Sequence, residues 1–335
     1  MIPIPLERRQ LRIGTLTLDV PFYQAALSGY TDRAMRLLAK RFGSPLTFTG
    51  VLLDKIALHP KAVKTLQFLP DDEEHPVGAQ VLGSDPATMA AAAAAFVKSG
   101  FDLIDLNFAC PASKVLSRGR GGYLMNHPAV VAEAIERTRA AIKCPLMIKL
   151  RIGFDDSERS RDDFWDICRR VAAIGPDAVC IHGRTVAQLY RGKADWSVLA
   201  EVKRQYPHLT LIGSGDIMTA ESVVERLTSS GLDGVVIARG AVGNPWIFRD
   251  ARALVEGSPV PPPPDLAEQA GVLADHLRMV LQLKPEHKGL MYFRKFAAGY
   301  SRHHPNRKTV QLDLMSAKSR LQIEQAIRKH YLPDE

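Results

Sequence analysis

The chain is 335 residues long, with 46% apolar and 24% charged residues, an ordinary balance for a globular enzyme that excludes disorder as the main state. Its longest apolar run, Met89 to Val97, is nine residues and mostly alanine, and the first ten residues hold three charges and no apolar core, so neither a bilayer span nor a secretory leader is expected. The net charge of +8 is concentrated in one place: from Lys284 to Lys329 eleven Lys and Arg face three acids, and the remainder sums to about zero.

Leu11 to Val20 reads as a small hairpin turning at Gly14-Thr15, placed to close the bottom of the fold. Strands are then expected near Phe22–Ala26, Leu46–Val51, Val77–Leu82, Leu103–Asn107, Leu146–Leu150, Ala178–His182, Leu209–Gly213 and Gly234–Ala238. Several are near-continuous apolar runs, the pattern of strands buried on both faces of a parallel sheet. Helix starts lie between them. Ser84-Asp85-Pro86 opens an alanine-rich helix ending at Lys98-Ser99-Gly100, and His127-Pro128 and Thr219-Ala220-Glu221 open two more. Eight βα units over about 235 residues match a TIM (β/α)8 barrel. A doubly wound sheet would usually carry fewer strands and a Gly-rich turn after the first.

Five prolines in the six residues Pro259–Pro264 mark a stiff linker. Leu266 to Tyr331 has helical periodicity and almost no β signal, so a small all-α unit should follow the barrel. The expected organisation is a catalytic barrel with its hairpin over 1–258, a linker over 259–265 and a basic helical unit over 266–335.

In a TIM barrel the chemistry sits at the C-terminal strand ends. Cys110 lies in the loop after the fourth strand, directly before Pro111 and close to Lys114. Cys144, Cys168 and Cys180 fall at a strand start, in a helix and inside a strand, where packing is the natural role. No cysteine spacing fits zinc or a disulfide framework, so reduced thiols of a cytoplasmic protein and no metal are expected. Lys149 and Arg151 share a face at the end of the fifth strand and point into the barrel mouth, where an unpaired buried ammonium would be costly without a function. His182 ends the sixth strand. Gln80, inside the third, needs partners for its amide, which a ligand or a satisfied core would supply equally well. Small residues follow the seventh strand (Gly213-Ser214-Gly215-Asp216) and the eighth (Ala238-Arg239-Gly240), the usual place for a phosphate in this fold.

Together these residues resemble the FMN-dependent tRNA dihydrouridine synthases, specifically the bacterial B-type branch, from about residue 12 to 330. The most specific stretch is Cys110-Pro111-x-x-Lys114-Val115 preceded by Asp105-x-Asn107. His182-Gly183-Arg184-Thr185, Gly215-Asp216-Ile217, Arg239, Pro245-Trp246-Ile247-Phe248 and Ser28-Gly29-Tyr30-Thr31-Asp32 also match. The resemblance implies FMN over the barrel mouth. Ala26, Leu27, Ser28 and Gln80 would meet its ring system, with Lys149 at the pyrimidine end, His182 and Asn107 alongside, and Ser214, Gly215, Asp216, Ala238 and Arg239 at the phosphate. Cys110 would be the proton donor to the target uracil. Asn107, Lys114, Arg151 and Arg184, with Arg294 and Lys295 from the tail, would face the substrate.

The implied reaction is reduction of the uracil C5=C6 bond of tRNA, with NADPH or NADH as reductant and a monomer acting in the cytoplasm. Hydride adds at C6 because C5=C6 is conjugated to the C4 carbonyl, and an acid must then protonate C5. The sequence departs from the family pattern at Ala25-Ala26-Leu27 after the first strand, Thr49-Gly50 after the second, Ala109 before Cys110, and Ser214 before Gly215. A flavoenzyme for a free pyrimidine or other enone is the alternative, which the basic tail argues against. An RNA-binding barrel without catalysis is a third reading, which retention of Cys110, Lys149, His182 and Arg239 argues against.

Overall fold

The chain begins with the expected hairpin, strands β1 (Leu11–Ile13) and β2 (Leu16–Leu18) pairing antiparallel through a Gly14-Thr15 turn. The computed structural model describes residues 9–59 and 69–332; most of the amino-terminal segment read for a leader lies outside the described residues. Leu11, Ile13 and Leu18 are buried in one cluster with Tyr23, Phe48, Leu103, Met147 and Ile212. The hairpin therefore plugs the lower end of the barrel.

Strands β3 (Phe22–Gln24), β4 (Thr47–Phe48), β5 (Leu52–Leu53), β6 (Val77–Leu82), β7 (Leu103–Asn107), β8 (Leu146–Arg151), β9 (Ala178–His182), β10 (Leu211–Ser214) and β11 (Gly234–Ile237) form one parallel sheet. Its path runs β3-β11-β10-β9-β8-β7-β6-β4, with β5 also on β6. The Gln24 N–H donates to the Leu46 carbonyl at 3.2 Å and draws the ends together. Because β4 and β5 are two pieces of one position, the result is an eight-position (β/α)8 barrel. The expected strand Leu46–Val51 is divided because the Gly50 N–H leaves the sheet for the Thr31 carbonyl. The seventh strand starts at Leu211 rather than Leu209, since the Leu209 N–H bonds the Tyr206 carbonyl.

Around this sheet lie α1 (Arg33–Arg41), α2 (Asp54–Ala57), α3 (Pro86–Lys98), α4 (Ser113–Leu116), α5 (Pro128–Ala141), α6 (Glu158–Ile174), α7 (Trp196–Gln205), α8 (Ala220–Ser229) and α9 (Trp246–Val255). The predicted starts hold: Asp85 accepts the Thr88 N–H ahead of α3, Pro128 opens α5, and Thr219 caps α8.

After the prolines come α10 (Leu266–Leu283), α11 (Glu286–Phe293), α12 (Ala297–Tyr300), α13 (Arg307–Ser316) and α14 (Arg320–Tyr331). Leu273, Leu277, Phe293, Phe296 and Tyr300 belong to the same core as Met35, Leu38 and Phe248, so these helices are welded to the barrel flank. Gly299 is the tightest point. A Cβ there would sit 1.9 Å from the Val242 carbonyl oxygen, so α12 can dock only with glycine at this position. The Tyr292 hydroxyl adds a polar clasp, donating to the Tyr30 carbonyl and accepting from the Asp32 N–H. Among the described residues no helix is long and apolar enough to cross a membrane, and no cluster of metal-ligating side chains occurs.

Candidate active site at the barrel mouth

Strand alternation decides which side chains enter the barrel. Leu103, Met147, Cys180, Ile212 and Val236 face the interior. Residues an even step further on must face it too, and these are Asp105, Asn107, Lys149, Arg151, His182, Ser214 and Ala238. Strand register then sets them side by side: Gln80 lies beside Asp105, Asn107 beside Lys149, and Arg151 and Ser214 flank His182. All but Asp105 line a cavity that opens at the C-terminal ends of the strands. Ala26, Leu27, Ser28, Gln80, Asn107, Cys110, Lys149, Arg151, His182, Ser214, Gly215, Asp216, Ala238 and Arg239 all line it.

Cys110 is half-buried at the rim and its loop is held from two sides. Asn107 Oδ1 accepts the N–H groups of Ala109 and Cys110, each at 2.9 Å. Arg151 Nε donates to the Ala109 carbonyl at 2.8 Å, while its Nη1 donates to the carbonyls of Thr185 and Leu189. Burial lowers this guanidinium to about 10, so it stays a cation that ties the Cys110 loop to the loop after β9. The Lys149 ammonium reaches inward, 3.1 Å from Cys180 Sγ. Burial raises the Cys180 thiol and Lys149 opposes that rise.

His182 is held neutral. Burial, reinforced by the charges of Arg151, Lys149, Arg184 and Arg239, drives its imidazole down to about 2. Its Nδ1 lies 3.3 Å from Ser214 Oγ. The far side of the cavity is the loop after β10. Gly215 sits at φ +135° and Asp216 at φ 54°, a turn that only a glycine at 215 enters easily. The Asp216 carboxylate is taken up by Arg184, by the Ala194 N–H at 2.8 Å and by Arg239 at 3.3 Å. Burial works to raise its pKa, but the Ala194 N–H bond and Arg184 prevail and hold it below the ordinary carboxylate value.

Arg184, expected to face the substrate, is 2% exposed and lies behind the cavity wall, where it also donates to the Arg191 and Gly192 carbonyls. Lys114 is exposed on α4, outside the lining. Of the tail pair expected to point outward together, Lys295 is exposed, with Nζ 5.0 Å from the Tyr292 ring centroid and 5.8 Å from that of Tyr30. Arg294 is half-buried instead, because its turn packs down beside Phe293 and Phe296. Sequence reasoning passed over Tyr190, whose ring covers the mouth with the Arg239 guanidinium 4.7 Å from its centroid. An isolated aromatic in an irregular loop gives no periodic signal; its place five residues before Asp195 in a strand-end loop was the only hint.

The fold is a (β/α)8 barrel with an open cavity at the C-terminal strand ends, lined by both charged and apolar groups. A sequence profile of dihydrouridine synthase (Dus) matches residues 23–332, and the chain belongs to that family. It is 35% identical over 304 residues to a probable tRNA-dihydrouridine synthase of Mycobacterium tuberculosis, covering 87% of this chain and 77% of that protein. It is 32% identical to tRNA-dihydrouridine synthase B of Pseudomonas aeruginosa over 291 residues, covering 87% and 86%. The barrel fold is also similar to that of histamine dehydrogenase from Rhizobium sp. 4-9, with a TM-score of 0.55 and 14% identity, covering 81% of this chain and 50% of that one.

Proposed function

We propose that the protein is a tRNA-dihydrouridine synthase that reduces the C5=C6 bond of uridines in tRNA, with FMN across the barrel mouth and NADPH or NADH as reductant. The observation that carries this reading is one cavity containing Cys110, Lys149, His182 and the two small-residue loops ending in Asp216 and Arg239. Its chemistry suits a flat ring with a phosphate tail. Gln80 and the Ala26–Ser28 turn offer polar and apolar contacts to a ring, while Ser214, Gly215, Ala238 and Arg239 make a narrow, positively charged end.

When bound, FMN supplies hydride for C6 of the uracil. Cys110 Sγ holds the proton that C5 requires; the Cys110 N–H donated to Asn107 Oδ1 and the Arg151 Nε–H donated to the Ala109 carbonyl fix where that proton is presented. The Lys149 ammonium gives positive charge to the ring end of the cavity. The neutral imidazole of His182 adds a hydrogen-bonding group without adding charge. Tyr190 over Arg239 narrows the mouth at that end of the cavity. Residues 1–258 would form the catalytic unit and 266–335 the tRNA-binding unit of a cytoplasmic monomer, joined by the linker at 259–265.

The test starts with the purified protein, which should be yellow and release FMN on heating. Given NADPH and unmodified tRNA, it should then form dihydrouridine. Release of FAD, or absence of any flavin, overturns the cofactor assignment; a yellow protein that leaves tRNA unchanged overturns the substrate.

A further inference from the structure

We propose that Asp105 is a positioning residue for Cys110, acting from inside the barrel through a one-way chain of amides, Asp105 to Gln80 to Asn107 to the Cys110 backbone. This role rests on the reading of Cys110 as the proton donor. Gln80 Nε2 donates to Asp105 Oδ2 at 2.7 Å, and Asn107 Nδ2 donates to Gln80 Oε1 at 2.6 Å. Asn107 Oδ1 then receives the Ala109 and Cys110 N–H groups. Every member is buried: Gln80 is 1% exposed, Asn107 3% and Asp105 4%.

The direction of this chain is forced at both ends. Two backbone N–H groups demand an oxygen from Asn107, so its NH2 must face Gln80 and the Gln80 NH2 must face the third residue. Only an acceptor can stand there, and Asp105 supplies one. With no acceptor at 105, the buried Gln80 NH2 has no partner, the side chain is driven out of this orientation, and Asn107 loses the carbonyl that fixes its own NH2 and hence its hold on the Cys110 loop. Asp105 Oδ1 has no hydrogen-bond partner among the described residues, so a proton taken up there leaves Oδ2 accepting. Burial raises the Asp105 carboxyl to about 6 against the opposing effects of the Gln80 bond and Lys149, and the chain keeps its polarity in either protonation state. The ionisable groups that act on it are Lys149 on β8, Cys180 on β9 and Tyr23 on β3, all inside the barrel.

An acceptor role and a charge role make different predictions. Asp105→Asn keeps a carbonyl oxygen for Gln80 and loses the charge; Asp105→Leu loses both. In the flavin-loaded full chain, amide hydrogen exchange at Ala109 and Cys110 should rise about tenfold in Asp105→Leu, the equivalent of one hydrogen bond, and stay within about threefold of wild type in Asp105→Asn. Uridine reduction in tRNA should follow the same order, with Asp105→Leu down at least about tenfold. Unchanged exchange in Asp105→Leu, or an equal loss in both variants, overturns the proposal. If Asp105→Leu does not fold, the wild-type protein decides: Ala109 and Cys110 must show protected amides, and exchange at the rate of a free loop contradicts the chain. The exchange readout needs no substrate, so a wild-type protein inactive on tRNA refutes the functional reading and leaves this test standing.

Discussion

Arg184 grips Asp216 through both carboxylate oxygens, its Nη2 lying 2.8 Å from each. The pair is lopsided, with the Arg184 side chain 2% exposed and that of Asp216 31%. Asp216→Ala strands a guanidinium in the barrel wall and should cost about 3 kcal/mol of stability. Arg184→Ala should cost more still, because it removes a fully buried side chain together with its bonds to the Arg191 and Gly192 carbonyls. Chemical denaturation of the two variants checks the order, and equal losses would refute it.

The same pair has a pH consequence. The folded pKa of Asp216 is lowered, so its contribution is present above the ordinary carboxylate value of 3.8 and is lost as pH falls below that value through the folded pKa. The buried histidines act earlier. His276 is lowered to about 4 by burial, so its unfolded form binds a proton first, and stability should fall as pH drops from 6.5 toward 4 by about 3 kcal/mol. His276→Phe should remove its share of that slope and leave the share of His182, so the slope falls without vanishing; an unchanged slope contradicts the assignment.

Cys110→Ala should keep the flavin while dihydrouridine formation falls by roughly 10²–10⁴-fold, the span expected when a general acid is removed. Cys168 is buried in α6 and lies outside the cavity lining, so Cys168→Ala should lose little activity. Flavin absorbance and single-turnover tRNA reduction in the two variants separate these outcomes. Equal tRNA reduction by wild type and Cys110→Ala removes the thiol from the mechanism.

Tail recognition can be narrowed to particular cations. Arg320 is paired with Glu324 and Lys329 with Asp313, whereas Lys288, Arg307, Lys308, Lys318 and Arg328 are exposed and form no ion pair with a described carboxylate. Changing Lys288, Arg307 or Lys308 to Glu should weaken tRNA binding. The slope of log affinity against log salt should flatten by roughly 0.7–0.9 for each phosphate no longer neutralised. An unchanged slope in all three variants would place recognition elsewhere.

Docking of the helices tests whether the tail's position matters. Gly299→Ala places a methyl against the Val242 carbonyl and should destabilise the protein by roughly 1–3 kcal/mol, read as a lower melting temperature. Truncation near Pro261 would expose Met35, Leu38 and Phe248, so loss of solubility is expected alongside loss of tRNA modification.

The barrel was legible where short, mostly apolar runs lay between turn residues. Val77–Leu82, Leu103–Asn107 and Ala178–His182 have the observed ends, because each run is short, mostly apolar on both faces and bounded by turn or helix-start signals. Leu46–Val51 was not, since its break depends on a hydrogen bond to Thr31, distant in sequence. Alternation alone brought Lys149, Arg151 and His182 to the mouth. What it could not reveal was how the charges are spent. Arg151 serves three backbone carbonyls and Arg184 serves Asp216, and such partners come from loops whose paths no periodicity encodes.

The most direct measurement is mass spectrometry of nucleosides from unmodified tRNA incubated with NADPH and the flavin-loaded protein, wild type beside Cys110→Ala. A uridine should gain two hydrogens with wild type, and almost none should do so with the variant. A yellow, NADPH-oxidising wild-type protein that leaves every uridine unreduced would contradict tRNA reduction as the activity of this barrel.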